Sequence, residues 1–319
     1  MKFSIGYNEK KGFFDLLIKN KEKICSVYFA LPIKFGSSGR PSRQDTDYVN
    51  KINKLVILCD KLGIRTILLL NSTIDGKKMF SEDHLSKLFG YIEGLISIGL
   101  NAVSITNLLY VKILKNKFPG LIFYSSVNTR LKNVEQAIFF KKLGINILTI
   151  DRDINRDLLL IKNIKKISGL EIQLMLNEPC FRNCPFRSAH FEAVGNNNEQ
   201  IFGQEFEDFT CYPMIKENNR LFFRIPFVRP EDLKYYNGLI DHYKLVSRDA
   251  SNEKIEFMLN KYSNGYHNGN LLELFDLEPQ QYLSSLYIDN NKLSNLNFFE
   301  RIQKCPGNCD ICTKCDVYF

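Results

Sequence analysis

An amphipathic segment, a glycine and a short apolar run follow one another repeatedly along this sequence. This repeat constrains the fold more than any other feature. One copy runs from Cys59 to Gly63 and precedes the apolar run Thr66–Leu70. Glycine commonly follows the last turn of a helix because the residue there adopts a left-handed conformation. Strands that are almost entirely apolar are typical of a parallel sheet covered by helices. The repeat predicts alternating helices and parallel strands, with helix-ending glycines at Gly63, Gly99, Gly120, Gly144 and Gly169.

The number of strands decides between the two common folds of this kind. The predicted strands are Phe3–Tyr7, Ser26–Leu31, Thr66–Leu70, Ala102–Ile105, Leu121–Tyr124, Ile147–Ile150, Ile172–Leu176 and His242–Ser247. Eight regular units over about 250 residues favour a closed (βα)8 barrel of the TIM type over a doubly wound open sheet. The chain has 319 residues, of which 45% are hydrophobic, so it can supply a full barrel core.

Cysteine-rich segments extend this barrel at two places. We expect the barrel over 1–275, with a cysteine-rich insertion at 178–225 after strand seven. A C-terminal extension at 276–319 is expected to end in a cysteine knuckle. The asparagine run 196–198 is interpreted as a surface turn within the insertion. No boundary of a second domain is evident in the sequence.

Charge and hydropathy limit the classes of partner. The net charge is +8, and much of it comes from lysines at helix ends and on solvent-facing helix positions. This pattern favours solvated helices over a nucleic-acid surface, so an RNA substrate is permitted but not indicated. No apolar run approaches the roughly 18 residues of a membrane span, and the first residues are typical of a strand and not of a signal peptide. We therefore expect a cytoplasmic protein without a membrane partner.

Polar residues follow the ends of most predicted strands. In a barrel these positions meet at the carboxyl ends of the strands, where active sites are built. Asn is also common at loop starts for structural reasons, so the ring as a whole indicates a pocket better than any single member does. Its members are Asn8, Asn71, Asn107, Asn128, Asp151, Arg152, Asn177, Glu178, Ser247 and Arg248.

The insertion carries three cysteines, Cys180, Cys184 and Cys211. Cys180 and Cys184 are four positions apart, so one turn can direct both sulfurs to one point. Thiolates are soft ligands that suit iron–sulfur clusters or zinc. Three ligands leave a fourth unassigned, and it could be His190, a C-terminal cysteine or an open iron site that binds substrate.

A second group comprises Cys305, Cys309, Cys312 and Cys315, four cysteines within eleven residues. Clustered cysteines in a chain without a signal peptide point to metal, because reducing compartments disfavour disulfides. The short spacing resembles iron–sulfur runs more than a zinc ribbon, with zinc as the alternative. The first three also have the spacing of radical S-adenosylmethionine enzymes, but in those enzymes the motif follows an early barrel strand, so we reject that interpretation.

Catalytic candidates are few. His190 lies in the cysteine insertion, where it could act as a ligand or as an acid or base, and Glu178 follows strand seven. The sequence contains no Ser-His-Asp arrangement, no phosphate-binding glycine loop and no His-Glu-x-x-His zinc motif. His242 is predicted to lie at the opposite end of the barrel, and Cys25 and Cys59 are predicted to be buried core thiols.

Strand-end elements and cysteines together resemble the collagenase-like peptidases of family U32. Ser125–Asn128 is similar to the family's Ser-Thr-Gln-x-Asn element at the end of strand five. Asp151–Ile154 resembles its Ser-Arg-Glu-Leu turn after strand six, and Tyr243–Arg248 resembles its Phe-Lys-Ile-Glu-Gly-Arg element at strand eight. Cysteines between strands seven and eight complete the match, whereas roughly the first hundred residues match in architecture only.

The resemblance implies a barrel that holds a [4Fe–4S] cluster with four cysteines. Such relatives include oxygen-independent hydroxylases of ubiquinone precursors and of transfer or ribosomal RNA, some linked to prephenate, and proteins labelled as collagen-degrading proteases. Two features depart from the family pattern: a cysteine expected after Cys211, near Arg229–Leu233, is absent, and Val246-Ser247 replaces a Glu-Gly pair. The tail Asn308–Cys315 is similar to one that marks a subgroup of the family.

Together these features predict an iron–sulfur redox enzyme of the oxygen-independent hydroxylase type. It would hold one or two [4Fe–4S] clusters and act on an anionic small molecule or RNA, with a redox partner or a related barrel subunit. The substrate-binding candidates are Asn128, Arg152, Asn177, Arg187 and Arg248. The arginines after strands six and eight could bind a carboxylate or phosphate, or could instead pair with Asp151, Asp153 or Asp249. The alternative functions are a peptidase and a non-catalytic, cluster-bearing electron-transfer or scaffold protein.

Overall fold

The computed structural model describes residues 1–35, 39, 46–73, 79–195, 211–305, 307–309 and 311–319. It describes the backbone alone at 193–195 and 277–278. The surface turn predicted at 196–198 lies outside the described residues.

Within this part of the chain, eight parallel strands close into one barrel in sequence order. They are β1 Phe3–Gly6, β2 Ile24–Ala30, β3 Arg65–Leu70, β4 Ala102–Ile105, β5 Ile122–Ser125, β6 Ile147–Thr149, β7 Glu171–Met175 and β8 His242–Lys244. The barrel closes where Phe3 of β1 pairs with Tyr243 of β8. The predicted (βα)8 fold is confirmed, and each predicted strand overlaps an observed one.

Helices follow the strands and cover the outside of the barrel. The α-helices in the described residues are α1 Phe13–Asn20, α2 Tyr48–Lys61, α3 Glu82–Ile96, α4 Leu109–Lys117, α5 Val134–Leu143, α6 Leu158–Ser168, α7 Arg187–Gly195, α8 Cys211–Glu217, α9 Asn252–Asn264, α10 Leu277–Tyr282, α11 Asn290–Asn295 and α12 Phe298–Gln303. Two 3-10 helices, Asn219–Arg224 and Pro230–Tyr236, lie between α8 and β8. The connection from β7 to β8 is therefore the one that carries the cysteine insertion.

Left-handed glycines end several helices, as the repeat predicts. Gly63, Gly99, Gly144 and Gly169 have φ angles of 66°, 116°, 99° and 66°. Gly144 caps α5, and its N–H donates to the carbonyl of Lys141 at 3.0 Å. The prediction for Gly120 is wrong, because its φ is not positive and the N–H of Phe118 already closes α4 on the carbonyl of Leu114.

Side chains alternate between the two sides of each strand, so the barrel has an inner and an outer core. The outer core packs between strands and helices and includes Leu68 and Phe123. The inner core consists of Tyr28, Ile67, Leu69, Ala102, Tyr124 and Ile147. Polar side chains share the interior, where Thr149 Oγ1 donates to Gln173 Oε1 at 3.1 Å between β6 and β7. The barrel interior is a packed core with polar members and not a pore.

The amino ends of the strands form the face opposite the predicted pocket. Cys25, Arg65 and His242 lie there, where β2, β3 and β8 begin. The imidazole Nε2 of His242 is 2.7 Å from a carboxylate oxygen of Glu171. His242 is thus at the predicted end of the barrel. Cys59 is fully buried in the outer core as predicted, whereas Cys25 is only partly buried.

The insertion after β7 and the C-terminal extension pack against each other through aromatic side chains. The ring centroid of Phe223 lies 5.3 Å from that of Phe298 and 5.2 Å from that of Tyr318. The rings of Phe227 and Phe298 are stacked, with centroids 5.6 Å apart. These contacts hold the cysteine-bearing tail beside the segment that leaves β7. Among the residues described, none of the helices combines the length and apolar character that a membrane crossing needs.

Candidate functional site

A cavity of about 60 Å³ lies at the carboxyl ends of the strands, and we call it the mouth cavity. Four members of the predicted polar ring line it: Asn71, Asn128, Glu178 and Arg248. The lining also includes Tyr28, Gly39, Leu69, Ser104, Ser126, Val127, Met175, Phe191, Lys244 and Val246. The polar residues predicted from the strand ends therefore do come together at the carboxyl ends of the strands, although only these four belong to the described lining of the cavity.

Two basic side chains reach the mouth cavity from β8 and the residues after it. The ammonium of Lys244 lies 4.0 Å from the centroid of the Tyr28 ring, whose hydroxyl donates to the carbonyl of Leu245 at 2.8 Å. Arg248 passes close to Gly6, where a Cβ would lie 2.5 Å from the arginine Cγ. Gly6 therefore leaves the space through which Arg248 reaches the cavity. Two cations at one small cavity favour an anionic ligand.

Glu178 is fixed at the cavity wall by a buried ion pair. Arg152 donates from Nη2 to Glu178 Oε1 at 2.9 Å and from Nε to Glu178 Oε2. The two side chains are 1% and 5% exposed. Burial lowers the pKa of Arg152, but the charge of Glu178 and their hydrogen bonds outweigh it, so the pKa is raised and the guanidinium stays charged. Arg152 is thus held behind the cavity wall by its carboxylate partner.

A second ion-pair network lies next to the first. Arg187 donates to the two carboxylate oxygens of Asp153 at 2.7 and 2.9 Å, and Lys132 also binds this carboxylate. The backbone N–H of Asn183 donates to Asp153 at 2.7 Å. Although burial raises the pKa of Asp153, the hydrogen bonds from Arg187 and Lys132 hold it well below its ordinary value. The predicted substrate ligand Arg187 is therefore engaged by an aspartate of this protein.

Cys180 lies between the two networks. Arg187 Nε donates to its sulfur at 3.4 Å. Burial raises the pKa of the Cys180 thiol, and the positive charges of Arg152 and Arg187 lower it by a smaller amount. Cys211 is close to the same turn, since its Sγ is 3.9 Å from the carbonyl oxygen of Pro179. The carbonyl of Cys184 accepts from the backbone N–H of Arg187 at 3.4 Å, so all three insertion cysteines lie around this turn.

The C-terminal cysteines border a second cavity, of about 100 Å³, which we call the knuckle cavity. Its described lining comprises Arg156, Arg182, Asn183, Phe223, Arg224, Ile302, Cys305, Gly307, Cys309 and Cys315. The N–H of Gly307 donates to Cys305 Sγ at 3.4 Å. Burial, with a smaller contribution from the neighbouring Cys305, Cys309 and Cys312, raises the pKa of Cys315 to about 11. The four knuckle sulfurs are therefore electrostatic neighbours.

The two cavities are joined by one short segment of chain. Glu178 lines the mouth cavity, while Arg182 and Asn183 line the knuckle cavity. Arg182 Nη2 donates to the carbonyl of Cys305 at 3.4 Å. An extended chain spans at most about 3.6 Å per residue, so the Cα atoms of Glu178 and Arg182 are at most about 14 Å apart. The predicted pocket and the cysteine knuckle are neighbours in the fold.

Asn177 occupies a different place from the one expected of a substrate ligand. It is fully buried, and its Nδ2 donates to the carbonyls of Val246 and Leu274 at 3.2 and 2.9 Å. Its Oδ1 accepts from the N–H of Val246 at 2.8 Å. The amide ties the end of β7 to the residues after β8 and is outside the described lining of the mouth cavity. Asn8 is also structural, since its Nδ2 donates to the carbonyl of Ala250 at 2.9 Å.

His190 lies on α7, beside the mouth cavity and not among its described lining residues. Its ring centroid is 6.1 Å from that of Phe191, which does line the cavity. Its backbone N–H donates to the carbonyl of Phe186 at 2.9 Å. Within the residues that the structure describes, no three Cys, His, Asp or Glu side chains are arranged to hold a single metal ion.

Several site residues are not among the candidates taken from the sequence. Lys244 stands within the strand-eight element Tyr243–Arg248, so its inward position could have been inferred from the alternation of that strand. Arg156, Arg182 and Arg224 are separated widely along the chain, and no spacing signal connects them with the knuckle. Only the tertiary packing of the segment after β6, the insertion and the extension brings these arginines to the cysteines.

Comparisons with known proteins agree with this architecture. The sequence model of peptidase family U32 matches residues 21–181, about half of the chain. The uncharacterized protease MJ1657 of Methanocaldococcus jannaschii is 27% identical over 298 residues, which cover 92% of this chain and 88% of that protein. Among solved structures, the U32 peptidase Mk0906 is 16% identical with a TM-score of 0.57 over 77% of this chain and 93% of that one, a likeness of fold. This chain belongs to peptidase family U32.

Proposed function

We propose that this protein is an iron–sulfur redox enzyme that modifies an anionic substrate bound in the mouth cavity. The reaction class would be hydroxylation without molecular oxygen, with a small anionic molecule or RNA as substrate. One observation carries the proposal: three of the four knuckle cysteines line a cavity that neighbours a cationic pocket at the barrel mouth.

The knuckle suits a cluster better than a single ion. A zinc ion draws its four sulfurs to about 2.3 Å from one point. Here Cys305, Cys309 and Cys315 border about 100 Å³ of space, which is room for a group larger than one ion. Hydrogen bonds to the sulfurs, such as that from Gly307 to Cys305, are a common feature of iron–sulfur sites. When bound, a cluster would accept and pass on electrons one at a time.

The residues of the mouth cavity have separate roles in this proposal. Arg248 and Lys244 bind the carboxylate or phosphate of the substrate, because both are cations that line the same cavity. Asn71 and Asn128 orient it through their amides. Glu178 presents a carboxylate whose position Arg152 fixes, and this carboxylate accepts a proton from the substrate. His190 on α7 remains a candidate for a second acid or base.

The insertion cysteines have a place in the proposal as well. Cys180, Cys184 and Cys211 lie around one turn beside the mouth cavity and would hold a second cluster, with His190 or an external ligand as the fourth donor. Hydroxylation of a C–H bond with water as the oxygen source releases two electrons and two protons, so a redox partner or a related barrel subunit would accept these electrons from the knuckle centre.

The decisive experiment is anaerobic purification of the full chain with iron, zinc and acid-labile sulfide analysis and with EPR and Mössbauer spectra. We expect iron and sulfide in about equal amounts and a cluster signal that Cys309→Ser and Cys312→Ser each abolish. Cys25→Ser, at the opposite end of the barrel, should leave the signal unchanged. Zinc without sulfide would overturn the proposal.

A second candidate is a non-catalytic electron-transfer protein, and the small volume of the mouth cavity, about 60 Å³, favours it. In that case anionic ligands would not protect Arg248 from modification by phenylglyoxal, although the cluster would still exchange electrons with a partner. The peptidase alternative needs a nucleophile with a base or a metal-bound water. The described lining of the mouth cavity contains Ser104 and Ser126 but no histidine. Cleavage of a peptide by the protein freed of metal would support the peptidase.

A further inference from the structure

We propose that Arg156, Arg182 and Arg224 form a cationic wall that compensates the negative charge of the centre held by the knuckle cysteines. This inference rests on the proposed function in one respect, that the knuckle binds a metal centre. It adds that the wall, and not the sulfurs alone, determines how firmly the centre is held and at what potential it is reduced.

Arg156 gives the clearest support for the wall, because it is a buried cation that forms no ion pair with a described carboxylate. It is 7% exposed, and it donates to the carbonyls of Phe223, Ile225 and Phe227 at 3.1, 2.8 and 3.2 Å. None of the ion pairs between described residues includes it. Burying an unpaired charge is costly unless a counter-charge lies nearby. An anion in the knuckle cavity, which Arg156 lines, would supply that counter-charge.

The carboxylate that acts on Arg156, that of Asp232, is already paired. Asp232 is bound by Arg229 through two hydrogen bonds of 2.7 and 2.8 Å. Burial lowers the pKa of Arg156 to about 10, and the negative charge of Asp232 offsets only part of this effect. The guanidinium remains protonated at neutral pH and still lacks a partner of opposite charge within the described residues.

Arg182 and Arg224 complete the wall from the partly exposed side. Arg182 donates to the carbonyl of Cys305 at 3.4 Å, and the guanidinium of Arg224 lies 5.1 Å from the ring of Phe181. Neither forms an ion pair with a described carboxylate, and the described lining of the knuckle cavity contains no acidic residue. Buried Arg152 differs, because Glu178 binds it directly.

The chemistry of a four-cysteine centre fits this arrangement. Four thiolates carry more negative charge than a zinc ion or a [4Fe–4S] core can neutralise, so the loaded knuckle is an anion. A fixed positive charge nearby stabilises it, most of all in its more reduced and more negative state. Removal of the wall should therefore weaken retention of the centre and make its reduction potential more negative.

The test uses the anaerobically purified full chain with its centre in place. We compare Arg156→Met and Arg182→Gln with Arg156→Lys and Arg182→Lys, and measure release of iron, or of zinc, to an excess of chelator. The neutral variants should release metal about tenfold faster, and the lysine variants should stay within about threefold of the unchanged protein. For an iron–sulfur centre, an EPR-monitored titration should show a more negative potential in the neutral variants only.

Lys87→Gln controls for net charge, because Lys87 is 63% exposed and pairs with Asp83 on α3, a helix that follows β3 and not the insertion-bearing β7. Circular dichroism and thermal unfolding establish which variants are folded, and Arg182→Gln decides the question if Arg156→Met does not fold. If a folded neutral variant releases metal at an unchanged rate and keeps its reduction potential, the proposed role of the cationic wall is overturned. The proposed function would remain intact. Absence of any metal from the unchanged protein would overturn the proposed function first, and the wall with it.

Discussion

At the scale of single residues, the barrel mouth is governed by how charges are paired. Arg152 with Glu178 and Arg187 with Asp153 are buried pairs, and Arg248 is one of the residues that line the mouth cavity. The sequence places all these residues at strand ends or in the insertion but cannot say which of them pair. Pairing depends on side-chain distances of a few ångströms, which only the folded backbone fixes.

The ion pairs of Asp153 make a prediction about pH. Its folded-state pKa lies below the ordinary value of about 4, so its stabilising effect is complete above that value and is lost as the pH falls through the folded-state pKa. Asp153→Asn should therefore lower the free energy of unfolding by roughly 3 kcal/mol at pH 7. The difference between the two proteins should shrink at about pH 3, as measured by urea unfolding.

Asp83→Asn is the matched control, because Asp83 is 77% exposed and pairs with Lys87 on the same helix. It should change the unfolding free energy by less than about 0.5 kcal/mol at either pH. If Asp153→Asn lowers the free energy of unfolding as much in acid as at pH 7, the stabilising effect does not come from the ion pairs of the Asp153 carboxylate.

At the scale of elements, the helix–glycine–strand repeat predicts where helices end. It is accurate where a left-handed residue is required, as at Gly144 with φ 99°. It fails at Gly120, where a proline precedes the glycine and the helix has already ended. A glycine alone cannot distinguish a helix cap from an ordinary loop position, since both sequences look alike locally.

The two glycines provide a direct test of this difference. Gly144→Ala places a Cβ 2.6 Å from Lys115 Cδ and forces a side chain into the left-handed region. It should cost about 1–2 kcal/mol in thermal or denaturant unfolding. Gly120→Ala meets no atom within 4 Å and lacks a positive φ, so it should be neutral or slightly stabilising. Equal losses in the two variants would refute the explanation.

At the scale of the whole molecule, aromatic packing joins the insertion to the C-terminal extension. Phe298 lies at the centre of this contact, with its ring against Phe223, Phe227 and Tyr318. The sequence indicates two cysteine groups more than ninety residues apart and leaves open whether they cooperate. The contact at Phe298 places the knuckle beside the turn that carries the insertion cysteines.

Loss of this contact should affect stability and the knuckle together. Phe298→Ala, at a side chain that is 1% exposed, should lower the free energy of unfolding by roughly 3–5 kcal/mol and reduce the metal content of the purified protein. Phe139→Ala, at a side chain that is 55% exposed on α5, should change neither by a measurable amount. Full metal content in a destabilised Phe298→Ala protein would show that the knuckle folds independently of the extension's packing.

The sequence by itself determined the barrel, because the period of its apolar residues and the glycines between them are local properties that each segment carries alone. It also determined that the cysteines form two groups, since spacing along the chain is sufficient for that. The tertiary structure decided that Asn177 is a buried bridge, that Glu178 and Arg248 face one cavity, and that three distant arginines line the knuckle cavity. These depend on contacts between segments far apart in sequence, and no local pattern encodes which distant side chain will fill a given space.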